Sequence, residues 1–226
     1  MTKANDMFGL FLKSKTGFDP FVEKMANALK NEFENYYAIT KDIPWYYNER
    51  TLVGFLITGL RQQNVAVLQE YTCDKGKGLD TSKGRVDLWA EWKGKGILLE
   101  MKSKYRSISG DFPWDSRTMK QWEQAAWEQV AGYNDKQPYR GTICIIQFFS
   151  YENEFEKWFS GKADKHNAIY SWNCDEISKY VNDDYFYFTI YPKNSRIAEK
   201  LKYKENREES DRYYSGIAAW GRLVKS

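Results

Sequence analysis

The sequence predicts an α/β fold with a mixed central sheet and helices on its faces. Between Glu49 and Phe149, segments of helical and strand pattern follow in the order helix, strand, strand, strand, helix, strand. The run from Thr142 to Phe149, TICIIQFF, is short and continuously apolar, which is typical of a strand buried on both faces. Hydrophobic residues make up 42% and charged residues 29% of the 226 residues, the balance of a folded domain.

Two helices are expected before the first strand. Phe21 to Tyr37 carries apolar residues at helical spacing and follows Asp19-Pro20, a pair that commonly starts a helix. Asn48 can then cap a second helix, which runs from Glu49 to about Gln63.

Three strands are expected next. Val65 to Cys73 is the first, and a loop rich in lysine and glycine, Asp74 to Gly84, follows it. Val86 to Lys93 and Gly96 to Tyr105 then form a hairpin, in which Gly94-Lys95 are expected to be the central residues of the turn.

The rest of the chain gives one clear helix and several further elements. Ser116 can cap a helix that runs to Tyr133 and leads into the buried strand. Beyond that strand we expect a helix over Glu152 to Gly161, a strand over Tyr185 to Tyr191, and a highly charged helix over Ile197 to Arg212.

These elements predict a single domain, because 226 residues suit one sizeable core. Residues 1–45 are expected to form an N-terminal helical extension. Residues 46–150 form the α/β core, and residues 151–226 are a C-terminal elaboration of α/β type.

Charge and cysteine content narrow the class of protein. The formal net charge of +3 is too small to indicate nucleic-acid binding by itself, so a basic surface must come from local clustering. Cys73, Cys144 and Cys174 include no Cys-x-x-Cys pair and His166 is the single histidine, which argues against a zinc site and against histidine catalysis. Because neither a membrane span nor a signal-peptide pattern is found, we expect a cytoplasmic protein.

The candidate chemistry lies in the predicted hairpin. Twelve residues separate Asp87 from Glu100, and Lys102 follows Glu100 by two positions in the same strand. The apolar run Ile97-Leu98-Leu99 leads into Glu100, so its carboxylate is expected in dry surroundings. An ionised group there costs several kcal/mol, as an order of magnitude, unless a metal ion or a neighbouring ammonium compensates it.

Strand geometry predicts that these three side chains meet. Side chains two apart in a strand share a face, which places Glu100 beside Lys102. With the turn predicted above, the antiparallel register sets Asp87 opposite Lys102 and diagonal to Glu100. A turn longer by one residue would send Asp87 to the other face, so the convergence depends on the register.

Two carboxylates beside a lysine suit Mg²⁺, which keeps several waters and binds phosphate oxygens next to one or two carboxylates. The metal can lower the pKa of a bound water and neutralise charge at a phosphate, while Lys102 can orient that water or stabilise the transition state. The alternative is an edge-strand salt bridge between Glu100 and Lys102, with Asp87 as a neighbour in the turn.

Asp87 together with Glu100-x-Lys102 resembles the motif of the PD-(D/E)XK superfamily, which includes type II restriction enzymes, resolvases and repair nucleases. The resemblance covers Glu49 to Phe149 and includes the order of elements, although Val86 stands where the family commonly has proline. It implies a restriction-endonuclease-like core (αβββαβ), with Asp87 and Glu100 as metal ligands and DNA as the substrate.

The resemblance implies further site residues. Many members carry a glutamate on the helix before the first strand, here Glu49, which could equally be a first-turn carboxylate favoured by the helix dipole. Many also carry a glutamine and a tyrosine one turn apart on the next helix, here Gln129 and Tyr133, with Gln124 as a weaker candidate. An exposed amide beside a core aromatic is the alternative. The backbone carbonyl of Met101 is an implied third metal ligand.

A group of cations precedes Asp87 in the sequence. Clustered cations can bind phosphates, although a solvated loop explains them equally well. The group consists of Lys75, Lys77, Lys83 and Arg85.

The expected function is therefore that of a Mg²⁺-dependent endo- or exodeoxyribonuclease, in which Mn²⁺ can replace Mg²⁺. DNA is the expected partner, with RNA and a homodimer left open and no membrane contact expected. The alternative is a catalytically inactive module that binds nucleic acid or protein on the same fold, because a fold alone does not establish activity.

Overall fold

One mixed sheet with helices on both faces forms the part of the chain that the structure describes. In this computed structural model the described residues are 7–76, 82–107, 116–133, 136–151, 185–193, 202–203 and 212–225. None of the helices within these ranges is long and apolar enough to cross a membrane. The protein is of the α/β class, as predicted.

The described helices are α1 (Asp19–Thr40), α2 (Glu49–Gln62) and α3 (Ser116–Ala131), with a short 3-10 helix over Pro44–Tyr46. The strands are β1 (Phe8–Ser14), β2 (Ala66–Lys75), β3 (Ser82–Trp92), β4 (Lys95–Ser107), β5 (Tyr139–Tyr151), β6 (Tyr185–Pro192), β7 (Lys202–Tyr203) and β8 (Arg212–Lys225). The sheet order is β1-β6-β8-β5-β4-β3-β2, with β7 paired to β8. Strands β4 and β5 are parallel, and the other described pairs are antiparallel.

The segment from α2 to β5 has the predicted order of elements. The cap expected at the start of α2 is present, since the Asn48 side chain accepts a hydrogen bond from the Thr51 N–H at 3.2 Å. This cap fixes the first turn of α2, in which Glu49 lies.

The turn of the hairpin differs from the prediction by one residue. Trp92 pairs with Lys95, so Lys93 and Gly94 are the central residues, with φ of 52° and 74°. Two positive φ angles match the twist of a hairpin, and Gly94 takes the second of these positions rather than the first. The expected pairing of Asp87 with Lys102 is therefore wrong, because the observed register brings Asp87 to the level of Glu100.

The two ends of the chain differ from the prediction as well. The expected N-terminal helical extension also contains β1, which pairs with β6, and β8 was not predicted although it lies between β5 and β6. The helix expected over Ile197 to Arg212 is wrong where the structure describes it, because Lys202–Tyr203 and Arg212 are in strands. Pairing across strands overrides local helix propensity there. The helix expected over Glu152 to Gly161 lies outside the described residues, as do Cys174 and His166.

The helices cover opposite faces of the sheet. Helices α1 and α2 pack over one face and form the largest hydrophobic cluster with it. They cross closely, since a Cβ added at Gly59 would lie 2.5 Å from the backbone oxygen of Ala28. Helix α3 covers the other face, where its apolar side chains form two smaller clusters with the strands.

A buried ion pair fixes α3 to the sheet. The guanidinium of Arg222 on β8 donates two hydrogen bonds to the Glu123 carboxylate of α3, at 2.6 and 2.5 Å. Glu123 is only 2% exposed and also accepts from Thr142 and Tyr185, while the ring of Trp127 stacks on Arg222. Both oxygens of the buried Glu123 carboxylate therefore have hydrogen-bond partners, as a buried charge requires.

Candidate active site

The candidate site lies where β3 and β4 separate, a place we call the β3–β4 fork. The backbone pairing of the two strands extends from the turn to Leu88–Leu99, whereas β4 continues beside β5 to Ser107. Beyond Leu99, carboxylates bind the backbone of β4 on the side that faces the fork. The Met101 N–H donates to Asp87 Oδ2 at 2.8 Å, and the Ser103 N–H donates to Glu49 Oε2 at 2.8 Å.

Glu100 is the most deeply buried charged group of the fork, with 5% of its surface exposed. Its Oε1 accepts a hydrogen bond from Lys102 Nζ at 3.0 Å, but its Oε2 is buried without a hydrogen-bond partner. Burial and, less strongly, the Asp87 carboxylate raise the pKa of Glu100 to about 7, although Lys102 acts in the opposite direction. A buried carboxylate oxygen without a partner is costly, and a bound cation would provide one.

Lys102 lies between two carboxylates. Its Nζ is 3.0 Å from Glu100 Oε1 and 3.9 Å from Glu49 Oε1. Burial by itself would lower the pKa of Lys102, but the carboxylates around it, Glu100 foremost, raise the pKa above its ordinary value. The ammonium group therefore stays charged at neutral pH, in a fixed position next to Glu100.

Burial also disfavours the ionised forms of the other two carboxylates of the fork, Asp87 and Glu49. Burial raises the pKa of Asp87, while the Met101 N–H and Lys102 lower it less strongly. Burial likewise raises the pKa of Glu49, against the effect of Lys102. Three carboxylates thus share one ammonium, and this imbalance of charge favours the binding of a cation.

The oxygen atoms available in the fork fit Mg²⁺ better than they fit a metal ion that side chains surround completely. In the described ranges, no group of three or more His, Cys, Asp or Glu side chains is arranged to hold a metal ion. Two carboxylates and a backbone oxygen leave room for water, which Mg²⁺ retains. The N–H and C=O of one strand residue point to the same side, so the Met101 carbonyl lies on the side of Asp87.

Of the two residues expected on α3, Gln129 lies on the helix, whereas Tyr133 lies just beyond its end at Ala131. Gln129 is exposed, so its catalytic role stays a prediction. Tyr133 is buried against the hairpin, where its hydroxyl donates to the Arg85 backbone oxygen. Burial raises the pKa of Tyr133, and the Glu100 carboxylate raises it further. Gln124 contacts Glu128 instead, through its side-chain amide.

The cations expected to bind phosphate have protein partners. Lys83 Nζ lies 2.5 Å from Asp74 and the Arg85 guanidinium lies 2.9 Å from Glu70, both at the surface. Lys75 Nζ lies 5.8 Å from the centre of the Tyr133 ring. Lys77 lies outside the described residues. Binding of a phosphate by Lys83 or Arg85 would therefore compete with an ion pair that is already formed.

Two charged residues of the site were missed by the sequence analysis. Glu70 on β2 raises the pKa of Asp87 by its negative charge, and Arg50 on α2 lowers it. Arg50 follows Glu49 directly, so its position beside the site could have been inferred from the predicted helix start. Glu70 lies in an exposed stretch of an edge strand, and nothing in its local sequence indicates a role.

Comparisons of the chain with protein-family models, with curated proteins and with solved structures give no match.

Proposed function

We propose that this protein is a Mg²⁺-dependent nuclease that hydrolyses phosphodiester bonds of DNA. The observation that carries the proposal is the buried Glu100 carboxylate, which has Lys102 on one oxygen and no partner on the other. A carboxylate in this state is expected where a cation completes the site, because an isolated buried charge is otherwise expensive.

The order of elements also supports the proposal. The segment from α2 to β5 reads αβββαβ, with the carboxylates in the second and third strands of the series. This is the arrangement implied by the resemblance to the PD-(D/E)XK superfamily, and we propose a restriction-endonuclease-like core on that basis. Glu49 lies at the start of the first helix of the series and reaches the same fork.

In the proposed site, Asp87, Glu100 and the Met101 carbonyl would hold the metal, with Glu49 near it. When bound, Mg²⁺ would neutralise charge at the scissile phosphate and lower the pKa of a water. Lys102 holds its charge at the rim of the site and donates a hydrogen bond to the attacking water. A bond from the water oxygen to phosphorus forms as the bond to the leaving ester oxygen breaks. The attacking water gives up one proton to solvent, and the leaving oxygen gains one proton from solvent.

Cleavage of defined DNA tests this proposal. Supercoiled, linear and single-stranded DNA are incubated with the full chain in Mg²⁺, Mn²⁺ or EDTA, and the products are separated on gels. Wild-type protein should cut with Mg²⁺ or Mn²⁺ and not with EDTA. Lys102→Gln should lower the rate at least a hundredfold, as removal of a transition-state donor commonly does.

The matched control is Lys104→Gln, on the same strand two residues further along. Lys104 is exposed and its Nζ lies over the Trp122 ring, so its loss should leave cleavage within about twofold of wild type. Equal cutting by Lys102→Gln and wild type would refute the proposed site. Binding of DNA without cutting under every metal condition would instead support a catalytically inactive binding module.

A further inference from the structure

Glu70 has an unusual backbone in the middle of β2. Its φ is +48°, in the left-handed region that residues other than glycine rarely adopt, least of all within a strand. The neighbours of Glu70 on either side pair with Leu88 and Val86 of β3. The residue at the level of Glu70 across the sheet is therefore Asp87, one of the proposed metal ligands.

The side chains of β3 do not alternate regularly between the two faces of the sheet, because the alternation reverses at Asp87. In a regular strand, Val86, Leu88 and Ala90 would all face one side of the sheet. Leu88 and Ala90 pack in the cluster under α1 and α2, whereas Val86 packs on the other face with Val130 of α3 and with Tyr133, which lies just beyond that helix. The residues directly before and after Asp87 in the sequence, Val86 and Leu88, thus face opposite sides of the sheet.

Strand β2 shows the same reversal. Val67 and Cys73 are six residues apart and would share a face in a regular strand, since six is an even number. Val67 instead belongs to the cluster under α1 and α2, and Cys73 belongs to the cluster under α3. The left-handed residue between them, Glu70, is the point at which the hairpin of β2 and β3 changes faces.

The reversal determines where Asp87 points. The Asp87 carboxylate extends toward β4, and its Oδ2 accepts the Met101 N–H at 2.8 Å. The backbone pairing of β3 and β4 ends at Leu88–Leu99, and beyond that point the Asp87 carboxylate, instead of a backbone oxygen of β3, accepts the hydrogen bond from β4. A side chain at right angles to a regular sheet would not reach that position.

We infer that Glu70 is a positioning residue, whose left-handed backbone turns the Asp87 carboxylate into the β3–β4 fork. Its importance for catalysis rests on the proposed nuclease function, but its effect on the contact between Asp87 and Met101 does not. The side chain of Glu70 is at the surface, where it pairs with Arg85. The backbone conformation and the charge can therefore be separated by substitution.

The test compares three substitutions of Glu70 in the full chain. Glu70→Gly keeps access to positive φ, Glu70→Gln keeps the shape without the charge, and Glu70→Val favours extended backbone because it is β-branched. Gln69→Val is the matched control, one residue away and also exposed. The first readout is hydrogen exchange of the Met101 amide, measured by NMR, and the second is the rate of DNA cleavage in Mg²⁺.

We expect Glu70→Val to speed exchange of the Met101 amide at least tenfold and to slow cleavage at least tenfold relative to Glu70→Gly. Glu70→Gln and Gln69→Val should match wild type in the exchange of this amide. If Glu70→Val is not folded by circular dichroism, Glu70→Ala takes its place, with the same order and a smaller difference. Equal exchange in the glycine variant and in the folded valine or alanine variant overturns the inference.

The two proposals can fail separately. If wild-type protein cuts no DNA, the nuclease proposal fails, while the order of exchange rates still supports or refutes the positioning role. If wild-type protein cuts DNA and the Glu70 variants do not differ in exchange, only the positioning role fails.

Discussion

Replacing Glu100 by glutamine should stabilise the metal-free protein while it abolishes cleavage. Burial raises the pKa of Glu100 from its ordinary value of 4.5 to about 7. The folded state therefore keeps a proton that the unfolded state releases, and stability is lost as the pH rises from about 4.5 to 7. At about 1.4 kcal/mol per pKa unit, the full loss is on the order of 3 kcal/mol.

The variant has no carboxyl group to ionise and should escape this loss. We expect Glu100→Gln to differ little from wild type at pH 5 and to be more stable by about 2 to 3 kcal/mol at pH 8. That difference would raise the Tm by roughly 4 to 12 °C in a chain of this length. Lys102 also has a raised pKa, but its contribution to stability is lost only well above pH 8. It therefore does not affect the comparison between pH 5 and pH 8.

The measurement is thermal or urea unfolding in EDTA at pH 5 and pH 8. Glu91→Gln serves as the control, because this exposed carboxylate near the hairpin turn is far from the fork. Adding Mg²⁺ at pH 8 should raise the Tm of wild type and not that of Glu100→Gln, since only the former retains both carboxylate ligands. A glutamine variant that is less stable than wild type at pH 8, or whose difference from wild type is the same at both pH values, would contradict the reasoning.

Three further predictions concern residues that support the site, and urea unfolding tests each of them. Arg222→Ala should lower the free energy of unfolding by about 3 to 5 kcal/mol, because it leaves the buried Glu123 carboxylate without its cation. A loss below about 1 kcal/mol would show that water replaces the arginine. Gly59→Ala should lower the free energy of unfolding by about 1 to 3 kcal/mol, since the new Cβ would clash with the backbone of Ala28. An unchanged free energy of unfolding would mean that α1 and α2 move apart freely. Asn48→Ala should cost about 1 kcal/mol by removing the cap of α2, and Asn48→Ser should recover most of it.

Much of the central segment could be predicted because its signals are local. The cap at Asn48 and the short apolar strand from Thr142 are read from neighbouring residues, and both are present. Glu100 and Lys102 were expected side by side because they lie two apart in a strand, and their side chains are in contact. Contacts of this range need no knowledge of the tertiary structure.

The position of Asp87 could be predicted only in part. The turn at Lys93 and Gly94 lies one residue earlier than expected, which moves the register by two residues and leaves the expected face unchanged. Asp87 then reaches Met101 for another reason, the reversal of the hairpin at Glu70. The left-handed conformation of Glu70 is held by the packing of flanking residues, Val67 on one face and Cys73 on the other, and no pattern in the sequence reveals it.

Strands β1 and β8 could not be predicted, because their partners are distant in the sequence, whereas the strand predicted over Tyr185 to Tyr191 is present as β6. Strand β1 pairs with β6, and β8 pairs with both β5 and β6. Residues 217–220, Ile-Ala-Ala-Trp, are apolar without alternation, because both faces of this central strand are covered. Such a run is ambiguous between helix and strand until its neighbours are known.

The place of β8 in the sheet also bears on how the chain reaches its native state. Strand β5 precedes β8 by some sixty residues, and β8 joins it to β6, which in turn pairs with β1. During synthesis, the ribosome must therefore release residues 212–225 before the two halves of the sheet can be joined. A chain interrupted before Arg212 would present the apolar strand β5 as an open edge, the kind of surface that chaperones cover and that otherwise aggregates.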